Sequence, residues 1–154
     1  MLAADPTFKE AKFPEIGNEH FVLGDRSAFR FRFAASQEKH QVVCAVYAGT
    51  YSTNTAGMMH GGAVSTVFDM VVALSGSAVL QSPGAYGMTK RLEIAYLRPS
   101  PLKKCVRVES DFNYTPGDKD AQVTAKMVDV ETATVTARAT ATMSDFYRRS
   151  TAKL

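Results

Sequence analysis

The chain has 154 residues, 45% of them hydrophobic and 21% charged, which suits one folded domain with a sizeable core and excludes wholesale disorder. Eighteen Lys and Arg against 15 Asp and Glu leave a net charge of +3 and a pI of about 8.9. That excess favours an anionic small molecule and lacks the clustered cations of a nucleic-acid surface.

The first residues, Met1 to Pro6, carry no basic segment followed by an apolar run, so no signal peptide is expected and the location is read as cytoplasmic. Residues 1–24, with Pro6, Pro14, Gly17 and Gly24, read as an irregular or short-helix lead-in. Phe29, Phe31 and Phe33 then alternate with Arg30 and Arg32, the period of a half-buried strand. A turn at Gln37–Lys39 leads into a more fully buried strand, Gln41–Tyr47, and the Thr-, Asn- and Gly-rich segment 49–59 reads as a loop.

Residues 61–80 form the one long helix, with Val64, Val67, Phe68, Val71, Leu74 and Ala78 at helical spacing and Ser82-Pro83-Gly84 to stop it. Asp69 interrupts this stretch, which is expected to be too polar and too short for a membrane span. Four strands are expected after it. Residues 87–97 carry Met88, Leu92, Ile94 and Tyr96 on one face; 104–114, 121–130 and 134–144 follow, the last alternating Val135, Ala137, Ala139, Ala141 and Met143 with polar residues. Residues 145–154, with Arg148, Arg149 and Lys153, read as a solvated tail. Short connections make the late strands antiparallel, and a single apolar helix must be wrapped by the sheet that covers it. The expectation is one α+β domain over 1–154 with about six strands. Cys44 and Cys105, each inside a strand-like run, are expected as reduced, buried thiols.

Asp69 is the only charge in the helix and shares a stripe with Gly62, Ser65 or Thr66, Ala73 and Gly76, small residues that admit close approach of a ligand or another chain. Its sequence neighbours Val67, Phe68, Met70, Val71 and Val72 offer no ion-pair partner, and a carboxylate there is costly without a task or a polar contact. The helix is preceded by Asn54-Thr55-Ala56-Gly57-Met58-Met59-His60-Gly61-Gly62. Two glycines at a helix start let a carbonyl approach amide N–H groups that have no partner inside the helix, at the positive end of its dipole. Such donors suit a developing oxyanion. One carboxylate and one oxyanion clamp are enough for a thioester, because a thiol with pKa about 8.5 departs without a strong general acid.

At this point the residues resemble a known family. Asn54, His60-Gly61-Gly62, Asp69, Gly87-Met88-Thr89 and Ala95-Tyr96-Leu97-Arg98-Pro99 look like the hot-dog-fold acyl-CoA thioesterases of the phenylacetate-degradation and thioesterase-superfamily-member type, over about residues 42–143. The resemblance implies Asp69 as nucleophile or general base, the Gly61 N–H as the group that polarises the carbonyl, and Asn54 and Thr89 as holders of the water or carboxylate. His60 would shape the helix start. It also implies a homodimer, or a dimer of dimers, with Asp69 facing Asn54 and Gly61 of the neighbouring chain, and no cofactor beyond the coenzyme A of the substrate. Gly62, Ser65 and Thr66, with Met58 and Met59 as an adaptable acyl lining, are the expected substrate contacts.

Each residue also has a plainer reading. Asn54 suits a turn, Thr89 a strand, His60 a cap, and Arg91, Arg98, Lys103 and Lys104 solvated faces rather than phosphate contacts. No His, Cys and Asp spacing suggests a metal site. A non-catalytic acyl-CoA sensor on the same fold is the leading alternative; a hot-dog dehydratase and a purely structural protein are the others.

Overall fold

The computed structural model describes residues 5–11, 28–82 and 85–145. Its strands are β1 (Lys9–Ala11), β2 (Phe29–Ser36), β3 (Gln41–Ala48), β4 (Met88–Tyr96), β5 (Cys105–Asn113), β6 (Asp120–Asp129) and β7 (Val135–Ser144), and its long helix is α1 (Gly61–Leu80) between β3 and β4. All pairings are antiparallel, in the order β1-β2-β3-β5-β6-β7-β4. This is the expected hot-dog architecture, with seven strands rather than about six. The additional strand is β1, inside the lead-in read as irregular or helical; the possible helix elsewhere in 1–24, and the basic tail, lie outside the described residues.

Alternation decides which side of the sheet meets the helix. Phe33, Val42, Cys44, Val46, Val106, Val108, Phe112, Val123, Met127, Ala139 and Met143 are buried on the inner face. Against them α1 packs Val64, Val67, Phe68, Val71, Val72 and Val79. Burying side chains of this size contributes about 1.5–3 kcal/mol each before entropy is charged. The expectation that this helix is too polar and too short for a bilayer understates it. An 18-residue window within its 20 residues has a mean hydropathy of 1.8, enough by length and composition to span one. The surface that apolarity serves here is the sheet.

The helix ends in Gln81, whose left-handed backbone (φ 50°) closes the last turn. One turn earlier Gly76 is buried because the following segment crosses directly over it: a Cβ there would lie 2.4 Å from the Ala85 carbonyl oxygen. Gly76, read from sequence as part of the small-residue stripe, thus receives the chain's own backbone. The thiols divide: Cys44 is buried, which pushes its pKa up, whereas Cys105 at the start of β5 is exposed, correcting the expectation that both are buried.

Candidate functional site

The loop before α1 is folded on Asn54. Its side-chain Oδ1 accepts from the Ala56 and Met58 amides (2.9 and 3.0 Å), and its backbone pairs with Met58 and Gly57. Gly57 takes the positive φ (75°) that this tight loop requires. Oδ1 is therefore committed to the loop, and only the Nδ2 donors of Asn54 are suited to a ligand. Two backbone bonds then fix the helix start, from Met59 N to Ser100 O (3.0 Å) and from His60 N to Ser52 O (2.7 Å).

His60 is the N-cap. Its Nδ1 accepts from Gly62 N (2.9 Å), which settles one first-turn amide and makes Nε2 the protonated nitrogen of the neutral ring. The Gly61 N–H, one position earlier, has no acceptor inside the helix. No side chain at Gly61 or Gly62 shields that turn, and Gly62 is exposed. The Gly61 carbonyl is held by two hydroxyls: Ser65 Oγ and Tyr96 OH each lie 3.1 Å from it and 2.6 Å from each other. Thr66 bonds back to the Gly62 carbonyl at 2.9 Å. Met58 is half-buried beside this turn, whereas Met59 is only 4% exposed and packs in the core.

Two turns further on, Asp69 is exposed on the helix and accepts at Oδ1 from Thr89 Oγ1 (2.8 Å). Among the described residues no cation pairs with it, and Oδ2 takes no hydrogen bond. A single oriented carboxylate with one open oxygen can take a proton from water or attack a carbonyl carbon.

Strand β4 thus reaches α1 twice, through Thr89 to Asp69 and through Tyr96 to Gly61 and Ser65. These two residues are seven apart, and a regular strand would put them on opposite faces. A β-bulge resolves the mismatch. Thr89 stands opposite Met143 and Arg91 opposite Thr142, so Lys90 is an extra residue. Beyond it Leu92, Ile94 and Tyr96 stand opposite Ala141, Ala139 and Ala137, all inward. The sequence reading put Met88 on the inner face with Leu92; the bulge turns Thr89 inward instead and leaves Met88 45% exposed. The sequence gives Tyr96 no separate role and does not reveal the bulge. The odd spacing of Thr89 and Tyr96 is the signal that reveals it once both are known to face the helix.

Gly61 and Asp69 lie eight residues apart on one helix, or about 12 Å along its axis. Asn54 sits before the helix start, with its recorded bonds inside its own loop. Within one chain, then, Thr89 joins Asp69, Gly61 is held by Ser65 and Tyr96, and Asn54 is bonded within its own loop. Of the cations, Arg91 pairs with Glu93 (3.0 Å) and Lys104 with Glu131, which raises the Lys104 pKa. Among the described residues no group of three His, Cys, Asp or Glu is placed to hold a metal ion.

No established family profile matches the sequence. The acyl-coenzyme A thioesterase THEM4 of Bos taurus is 29% identical over 96 residues, covering 62% of this chain but only 37% of the bovine protein, so the match spans well under half of that relative. Among solved structures, zebrafish thioesterase superfamily member 2 superposes with a TM-score of 0.67 at 19% identity, over 82% of this chain and 87% of that one. A hypothetical thioesterase of Streptococcus pneumoniae, solved with coenzyme A, superposes with a TM-score of 0.63 at 20% identity, over 77% and 88%. The resemblance carried by the motifs holds: this chain has the hot-dog fold, and the proteins it resembles are thioesterases of that superfamily.

Proposed function

We propose that the chain hydrolyses an acyl-CoA thioester to a carboxylic acid and free coenzyme A, with Asp69 driving the attack. The hydrogen bond from Thr89 to Asp69 carries this reading, because it orients the lone carboxylate of the helix and leaves one oxygen for chemistry. The Gly61 N–H, at the positive end of the dipole, is the donor for the oxyanion. As base, Asp69 takes the proton of a water that adds to the carbonyl carbon, and the C–S bond breaks to release coenzyme A as a thiolate. As nucleophile, its own oxygen joins the acyl carbon as the C–S bond breaks, and water then opens the resulting anhydride; a single turnover in oxygen-18 water labels the Asp69 carboxylate only on this second route, when water opens the anhydride at the aspartyl carbon.

The 12 Å between Asp69 and Gly61 supports a site built from two copies. A reacting carbonyl must lie about 3 Å from both its attacker and its oxyanion donor, which the two groups of one helix cannot satisfy together. In a two-fold dimer Asp69 of one copy meets Gly61 and Asn54 of the other. The long β4 edge, unpaired on its outer side among the described residues, is where we place the junction.

The test is a panel of acyl-CoA esters (aromatic, short and medium chain) assayed by thiol release on wild type and Asp69→Asn. Turnover that falls about 10²–10⁴-fold in the variant is expected for loss of a base or nucleophile. Intact esters that bind without turnover would favour the sensor reading instead.

A further inference from the structure

We propose that Lys90 is a positioning residue: it locks the β4 bulge in the register that turns Thr89 toward Asp69. This inference rests on the reading of Asp69 as the reacting carboxylate. The bulge places Lys90 and Arg91 together on the outer face of the sheet, where both are exposed. Lys90 Nζ reaches over β7 to Asp120 Oδ2 on β6 at 2.5 Å, and Arg91 pairs with Glu93 on its own strand. Asp120 stands opposite Ser144 of β7, beside Met88 in the next ladder, so the ion pair spans the sheet where the bulge begins.

The alternative to the bulge is a one-residue slip of the strand start. Regular pairing from Arg91 backwards sets Lys90 opposite Met143 and Thr89 opposite Ser144. That slip exchanges faces for every side chain before Arg91. Thr89 would point outward, away from Asp69, and Lys90 would take the inner place opposite Met143 that Thr89 holds beside Asp69. Lys90 opposes the slip through its outer-face partner, Asp120, which the slip would take from it. The ion pair itself is a partly exposed contact (side chains 41% and 36% accessible) of small worth to overall stability. Its effect falls on the choice between two registers that differ in where one hydroxyl points.

Lys90→Met removes the ion pair with Asp120, and Lys90→Arg retains it. We expect Lys90→Met to lower kcat for the best acyl-CoA ester at least about tenfold, the scale of a displaced catalytic contact, with KM and melting temperature little changed. Lys90→Arg should restore kcat, and Asp120→Asn, which keeps the lysine but not its partner, should lie between. In a Thr89→Val background Lys90→Met should cost nothing further, because its effect passes through that hydroxyl. Wild-type kcat in Lys90→Met, or the same loss with and without Thr89, would overturn the inference while leaving Asp69 catalysis standing. Should the wild type hydrolyse no ester, the reading of Asp69 falls separately. Carboxyl NMR then decides about Lys90: the Asp69 signal of Lys90→Met must move to that of Thr89→Val, and a signal unchanged from wild type refutes the proposal.

Discussion

Among the described residues the two edges of the sheet end in opposite ways. At one edge β1 is three residues long and is bordered by ion pairs, Glu10 with Arg32 across the ladder and Asp5 with Lys39 at the next turn. At the other, β4 runs for nine residues with Met88, Tyr96 and the adjoining Leu97 about half exposed. Short, charged edges resist pairing with another chain, and long edges flanked by apolar side chains invite it. The inviting edge is also the strand that carries Thr89 and Tyr96 to the helix. On the proposed two-copy reading, the strand that orients the carboxylate is also the one that joins the second copy, so activity and assembly ought to fail together on that side and not on the other.

The largest effect expected from this contrast comes from charging the open edge. Met88→Glu with Leu97→Glu should halve the mass measured by light scattering and remove most thioesterase activity, whereas Glu10→Gln should change neither. Activity retained in a monomeric double variant would separate site from assembly and sink the two-copy reading. A sharper form mixes Asp69→Asn with Asn54→Ala chains after co-refolding. Random pairing restores one intact site in half of the dimers, about a quarter of wild-type activity; no recovery means that Asp69 and Asn54 do not meet across copies.

A smaller effect belongs to Tyr96. Its hydroxyl shares the Gly61 carbonyl with Ser65 in an exposed position, so Tyr96→Phe should lower stability by about 1 kcal/mol or less. Thermal unfolding measures this, and a loss of several kcal/mol would mean that Tyr96 anchors far more than one carbonyl. The smallest effect is at the charged edge. Hydrogen bonds from Lys39 and Thr7 hold the Asp5 carboxyl down from its ordinary 3.8 to about 2. A depressed carboxyl contributes its stabilisation above the unfolded pKa and loses it as the pH falls through the folded one. Amides of β1 should thus exchange faster between pH 4 and 2 in the wild type, and Asp5→Asn should abolish that dependence. β4 amides, at the opposite end of the sheet from Asp5, should be indifferent to Asp5→Asn.

Most of the fold was legible because its elements are long and periodic. The helix bounds agree at both ends: it begins at the Gly61-Gly62 pair and ends at Leu80, just before the Ser82-Pro83-Gly84 read as its stop. β5 and most of β7 follow from alternation, although an irregularity at Thr136 takes Val135 off the face of Ala137, Ala139, Ala141 and Met143 with which the sequence grouped it. β1 was illegible: Lys9-Glu10-Ala11 has no apolar rhythm, and its pairing with Ala35, Ala34 and Phe33 is decided wholly by the neighbour strand. The bulge was hidden for a related reason. Met88, Leu92, Ile94 and Tyr96 share a parity, so an uninterrupted strand fits the sequence just as well, and only the contacts with Asp69 and Gly61 distinguish the two. Of the candidate site, Asp69 and Thr89 were found by motif and are joined in space, while Tyr96 entered only as a letter in a motif. Exposure of Cys105 was missed because a strand-like run does not reveal which of its ends is covered.

The sheet order carries one last consequence, for how the protein is made. β4 is the fourth strand in sequence, yet among the described residues its neighbour is β7, the final strand. A ribosome therefore releases Asp69 and Thr89 long before the strand that seats β4 exists, and the edge between them stays unsupported until residue 144 has emerged. Nascent chains stopped after β6 have a helix and five other strands in place but nothing to hold Thr89 against the carboxylate. The Thr89–Asp69 contact is therefore completed late, and the unseated β4 segment is the part of the young chain most exposed to misassembly.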